Sequence, residues 1–134
     1  KIMFSSSGYN SPEEAKKLNP VTLAFVGDAV FSLYVREELV LAADYRAGDL
    51  QKLSSERVSA HGQSGLAERV CLLFNEEEAD IFRRGRNAKK PSRAKHASVG
   101  EYNRSTGLEA VLGYLYLTGQ LGRIDFLLKG TDEN

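Results

Sequence analysis

Two carboxylates stand out because of what surrounds them. Asp28 is the only charged residue between Lys17 and Arg36, in the run Leu23-Ala-Phe-Val-Gly-Asp-Ala-Val-Phe-Ser-Leu-Tyr-Val35. Glu109 is the only charge between Ser105 and Gly122. An isolated acid in an apolar helix is costly to desolvate unless it is paired, hydrogen-bonded or bound to a cation. A basic partner or an exit to the surface would serve each acid singly. Two such acids brought together repel and raise each other's proton affinity. A divalent cation between them removes that penalty, and ligation by oxygen alone favours magnesium, with manganese as a substitute. It is the repetition of the pattern that favours the shared cation.

The elements that would carry these acids read as helices. The Asp28 stretch has leucines and aromatics at helical spacing and is too long for a strand, so a buried helix is expected from Asn19-Pro20 to about Leu41. Gly27 inside that helix costs about 1 kcal/mol relative to alanine, which points to a close backbone approach there. Glu109 belongs to a helix from Glu101-Tyr102 to Leu117. Ser11-Pro12-Glu13-Glu14 is a capped helix start, and Asn75-Glu76-Glu77-Glu78 is another, which gives the three acids a structural role. Further helices are expected from Leu50 to about Ala60 with Asp49 as cap, from Gln63 to Phe74, from Glu76 to about Gly85, and from Leu121 to Lys129. Alternating strand patterns and hairpin turns are missing, so the fold class is all-α.

Acidic and basic residues balance at 18 each over 134 residues, so overall charge says nothing about partners, but its distribution does. Arg83, Arg84, Arg86, Lys89, Lys90, Arg93 and Lys95 fall in one run with no acid from Ile81 through Gly100. With Gly85, Pro91 and Ser92 interspersed, much of it reads as a loop that could contact phosphates. His61 and His96 lack zinc spacing, and Ser59 near His61 is no triad without spatial assembly. No glycine-rich phosphate loop with a lysine opens a helix, which argues against a nucleotide cofactor. The single cysteine, Cys71, reads as a packed thiol and suits a reducing, cytoplasmic setting. No membrane span is expected. Residues 11–130 form one domain, with 1–10 a disordered or non-native N-terminus and 131–134 a frayed end. Two acids with a basic segment point to metal-assisted cleavage of a phosphodiester backbone.

The run Leu23 to Phe31 resembles the ribonuclease III signature, and Ser105-Thr-Gly-Leu-Glu-Ala-Val-Leu-Gly-Tyr-Leu-Tyr116 resembles that family's second acidic motif. Asp49 to Ala60 and Arg83 to Ala88 are similar to the compact bacterial branch called Mini-ribonuclease III, a nuclease domain alone. The resemblance spans roughly Leu18 to Leu128. It implies an endoribonuclease that cuts double-stranded RNA to 5′-phosphate and 3′-hydroxyl ends, with Asp28 and Glu109 holding magnesium. It also implies a homodimer with Phe25 packing into the partner subunit, and a task in maturing the large-subunit (23S) ribosomal RNA precursor. Two further family acids correspond here to Ala24 and Thr106, so only Asp28 and Glu109 carry over as ligands. The substrate grip falls on the basic segment. A different class of protein, a helical duplex-RNA-binding dimer that does not cut, would share these features but leave both isolated acids without use. A purely structural helical module would leave the basic run without use as well.

Overall fold

The computed structural model describes residues 11–90 and 97–130, and every regular element among them is helical. In chain order these are α1 (Pro12–Ala15), α2 (Pro20–Ala42), α3 (Ala47–Val58), α4 (Ala60–Val70), a single 3₁₀ turn (Cys71–Leu73), α5 (Glu76–Asn87), α6 (Val99–Leu117) and α7 (Leu121–Lys129). The all-α expectation holds. Among the described residues no helix is long and apolar enough to cross a membrane.

Helix α6 is the axis of the molecule. It has α2, α4, α5 and α7 packed around it. Of the residues from Ser105 to Leu115 only Glu109 is less than fully buried. A helix enclosed on all sides has to be apolar all round, which accounts for the sparse charge in this part of the sequence. Leu23, Phe31 and Val35 of α2 face Leu108, Val111, Leu112 and Leu115 in one continuous core, with Ile81, Leu127 and Leu128 completing it.

The helix starts follow local chemistry. Ser11 accepts from the Glu14 N–H, and Asn19 Oδ1 accepts from the Val21 N–H at 2.8 Å ahead of Pro20. Asn75 with Glu78, and Ser98 with Glu101, form complete capping boxes. The second of these starts α6 at Val99, two residues before the expected onset. α3 begins at Ala47, so Asp49 lies in its first turn and is not its cap. Ser59 caps α4 by accepting from the Gly62 N–H, which starts that helix at Ala60 and not at Gln63. The chain tightens to 3₁₀ after Val70, and this rotates Cys71 outward: the thiol expected to be packed is exposed, donating to the Glu68 carbonyl.

Helices α2 and α6 cross with their main chains in contact. A Cβ on Gly27 would lie 1.7 Å from the Glu109 carbonyl oxygen, and one on Gly113 would lie 1.9 Å from the Leu23 carbonyl oxygen. The close approach expected at Gly27 is therefore real and reciprocal, with a glycine from each helix removing the side chain that would separate them. On the far side of α6 an ion pair is sealed in. Glu78, 1% exposed, accepts from Arg123 Nε and Nη2 at 2.8 and 2.7 Å. One Glu78 oxygen also accepts from the Asn75 N–H, so the acid run at 76–78 does build the fold.

Candidate active site

The glycine crossing sets the two acids side by side. Asp28 follows Gly27, and the carbonyl pressed against Gly27 belongs to Glu109 itself. Both side chains open into one cleft of about 300 Å³ between α2 and α6, together with Ala24, Thr106, Tyr102 and Lys90. Ala24 and Thr106 are the positions that the resemblance marks as lost acids. They line the same cleft, and their short side chains take up little of the space beside the two carboxylates. Thr106 Oγ1 donates back to the Tyr102 carbonyl at 3.0 Å, so its lone pairs remain to accept.

The carboxylates differ in setting. Asp28 is exposed at the mouth, whereas Glu109 is largely enclosed. Burial pushes the Glu109 carboxyl up to about 8, and the neighbouring Asp28 adds to the rise. A hydrogen bond from Gln63 opposes it. Glu109 is thus held by an amide and not by a basic side chain, with Gln63 Nε2 donating to Oε2 at 2.9 Å. Gln63 escaped the sequence reading. Its signal was an amide on the stripe of α4 that also carries Ala67 and Val70, both buried.

Among the described basic residues, not all face solvent. α5 runs on to Asn87, past the end expected near Gly85, so Arg86 is helical together with Arg83 and Arg84. Arg83 is exposed and paired with Asp80 at 2.5 Å. Arg84 turns inward and donates to the Lys16 and Leu18 carbonyls at 2.9 and 3.4 Å, tying α5 to the link between α1 and α2. The Arg86 guanidinium lies 5.7 Å over the Phe82 ring. Lys89 is exposed. Lys90 reaches the cleft, where it donates to the Arg86 and Ala88 carbonyls at 3.0 and 2.7 Å, and burial lowers its proton affinity. Arg93 and Lys95 lie outside the described residues. Phe25 sits at the cleft edge and is 81% exposed.

A pair of acids with no basic partner among the described residues, opening to solvent beside a lysine, suits an oxygen-ligated dication and an anionic substrate. Residues 21–120 match the ribonuclease III domain family. A protein named Mini-ribonuclease 3 from Thermoanaerobacter sp. (strain X514) is 42% identical, with 87% of this chain and 82% of the relative aligned. Its namesake from Staphylococcus aureus (strain NCTC 8325 / PS 47) is 43% identical over 84% of this chain and 86% of its own. This chain belongs to the ribonuclease III family, in its Mini-ribonuclease 3 branch. A crystal structure of a Fusobacterium nucleatum protein has the same fold, with a TM-score of 0.75, 30% identity, and coverage of 84% of this chain and 90% of that one. Mini-ribonuclease 3 membership makes the chain a ribonuclease-type endonuclease. The matched residues include both cleft acids. Among the described residues no group of three or more histidines, cysteines or acids gathers at one point. A cation in this Mini-ribonuclease 3 cleft would therefore have two carboxylates and draw its remaining ligands from water or substrate.

Proposed function

We propose that this cleft is the catalytic centre of a magnesium-dependent endonuclease acting on double-stranded RNA, with Asp28 and Glu109 holding the cation and manganese able to replace it. The observation that carries the reading is the meeting in an open cleft of two acids, from separate helices, that have no basic partner among the described residues. The donor set fits a hard cation that keeps several waters. When bound, magnesium supplies Lewis-acid stabilisation and a more acidic water for phosphodiester hydrolysis. Glu109 has to give up its proton to ligate, and a dication reverses the penalty that burial and Asp28 impose on its charge. Lys90 stands where a phosphate entering the cleft would pass. Hydrolysis breaks the bond between phosphorus and O3′, leaving a 5′-phosphate and a 3′-hydroxyl.

The protein acts as a homodimer in this reading. Phe25, Leu33 and Val40 of α2 are 81%, 58% and 63% exposed, an apolar stripe suited to a second copy of the same helix. Two cleavage centres, one per RNA strand, follow from such pairing. Duplex RNA is gripped through its phosphates and 2′-hydroxyls, for which Arg83, Arg86, Lys89 and Lys90 are available, with Arg93 and Lys95 nearby in sequence. The resemblance to the compact branch supports the large-subunit (23S) ribosomal RNA precursor as substrate.

A defined duplex RNA incubated with and without magnesium tests the assignment. The wild type should cut only with the metal, leaving 5′-phosphates, and Asp28→Asn should not cut while eluting at the same size as the wild type. Undiminished cleavage by Asp28→Asn refutes the metal assignment. Binding without cleavage by the wild type would instead favour a duplex-RNA-binding dimer.

A further inference from the structure

Gln63 is 2% exposed, so each of its polar atoms needs a partner in the protein. Its Nε2 donates twice, to the Val58 carbonyl and to Glu109 Oε2, each at 2.9 Å. Its Oε1 is buried and meets no donor among the described residues. A buried acceptor left unpaired is costly, and an apolar side chain of the same length would avoid the cost. The fold accounts for the bond to the helix-end carbonyl of Val58, but not for the orphaned Oε1 or the bond to Glu109. The amide is oriented with Nε2 inward, because turning it over would set Oε1 against the Val58 carbonyl oxygen.

We propose that Gln63 is a positioning residue for the cation-binding carboxylate: anchored on the end of α3, its amide fixes the rotation of Glu109 and occupies Oε2, leaving Oε1 for ligation. The inference rests on Glu109 being a ligand, as proposed above. The anchor is well chosen. Val58 is the last residue of α3, and its carbonyl is one of those that a helix end leaves without an intrahelical partner. Gln63 satisfies that carbonyl and ties the α3–α4 corner to α6. An amide also suits the task better than a cation would. Lysine or arginine at this position would neutralise Glu109 and compete with the metal, whereas the amide donates a hydrogen bond and leaves the negative charge of the site in place. Groups that orient a metal ligand through its second oxygen or nitrogen typically govern metal affinity as much as activity.

The test is manganese binding by calorimetry and by electron paramagnetic resonance on the full chain, alongside cleavage kinetics. Gln63→Met should weaken manganese binding about 10- to 100-fold and lower kcat, with KM for RNA little changed and the circular dichroism of the wild type retained. Ser64→Ala is the control. It removes the Arg104 hydrogen bond at 2.7 Å on the same helix without touching Glu109, and it should bind manganese like the wild type. Wild-type affinity in folded Gln63→Met overturns the proposal, as does an equal loss in Ser64→Ala, which would show a general effect of loosening α4. Should Gln63→Met fail to fold, the side-chain NH₂ resonances of Gln63 in the wild type decide: a shift on magnesium saturation supports the proposal, and unmoved signals overturn it. Asp28→Asn that binds manganese as tightly as the wild type would instead bring down the metal reading, and this inference with it.

Discussion

Replacing Glu109 with glutamine should stabilise the metal-free protein in mild alkali while ending its activity. Burial, reinforced by Asp28, lifts the Glu109 carboxyl from 4.5 to about 8. Between those values the folded protein keeps a proton that the unfolded chain has released, so stability falls as pH rises. The contribution of this group is whole below the unfolded value and lost progressively on the way to the folded one. At about 1.4 kcal/mol per pKa unit, the loss between pH 5 and pH 8 is roughly 3–4 kcal/mol. That is a large share of the 5–15 kcal/mol typical of a whole domain. Glutamine keeps an oxygen for the Gln63 N–H and carries no titrating proton. Urea unfolding of both proteins in chelator from pH 5 to pH 8 reads the difference, because other titrating groups cancel between them. The wild type should lose roughly 3–4 kcal/mol more than Glu109→Gln over that range, and magnesium at pH 8 should restore the wild type alone. Parallel curves for the two proteins would refute the account of Glu109 as a carboxyl strained by burial.

Gly27→Ala should abolish cooperative folding or cost more than about 4 kcal/mol, since its Cβ would overlap the Glu109 carbonyl. Gly48→Ala, with nothing within 4 Å, should raise stability by about 0.5–1 kcal/mol; thermal melts compare the two. Arg123→Met should cost about 3–5 kcal/mol by stranding the Glu78 carboxylate, and adding Glu78→Gln should recover much of that in urea titrations. Arg84→Ala should lower the melting temperature yet leave the salt dependence of RNA binding unchanged, because its guanidinium serves two backbone carbonyls. Arg83→Ala with Arg86→Ala should do the reverse, weakening binding and flattening the slope of log K against log salt by about one for each phosphate no longer neutralised.

Much of this architecture could be read before folding because short-range chemistry announced it. Ser11-Pro12, Asn19-Pro20 and Asn75 with Glu78 satisfy donors within a few residues, so those helix starts are local facts. The cleft was legible because a lone acid in an apolar run calls for a partner, and Asp28 and Glu109 share one opening; the burial expected of both holds for Glu109 alone, since Asp28 lies on an exposed face of α2. What the sequence hid was direction and distance. A run of arginines shows its charge but not that α5 continues through Gly85 and turns Arg84 back toward Leu18. Gln63 finds its partner 46 residues away, and no local pattern encodes that. Ser59 beside His61 looked like a chance neighbour because its use, capping α4, depended on where that helix began.

The meeting of bare backbone beneath Asp28 and Glu109 has a consequence for how this centre can change. Side-chain joints yield by rotating about single bonds, whereas two peptide planes pressed together offer no such slack. The interval between the main chains that carry the two acids is therefore as stiff as the crossing itself, and under the proposed metal reading an ion of another radius has to be met by the side chains and the walls. Attempts to tune the proposed metal site belong at positions 24 and 106, where short side chains line the cleft, and not at the hinge-less joint that the two glycines make.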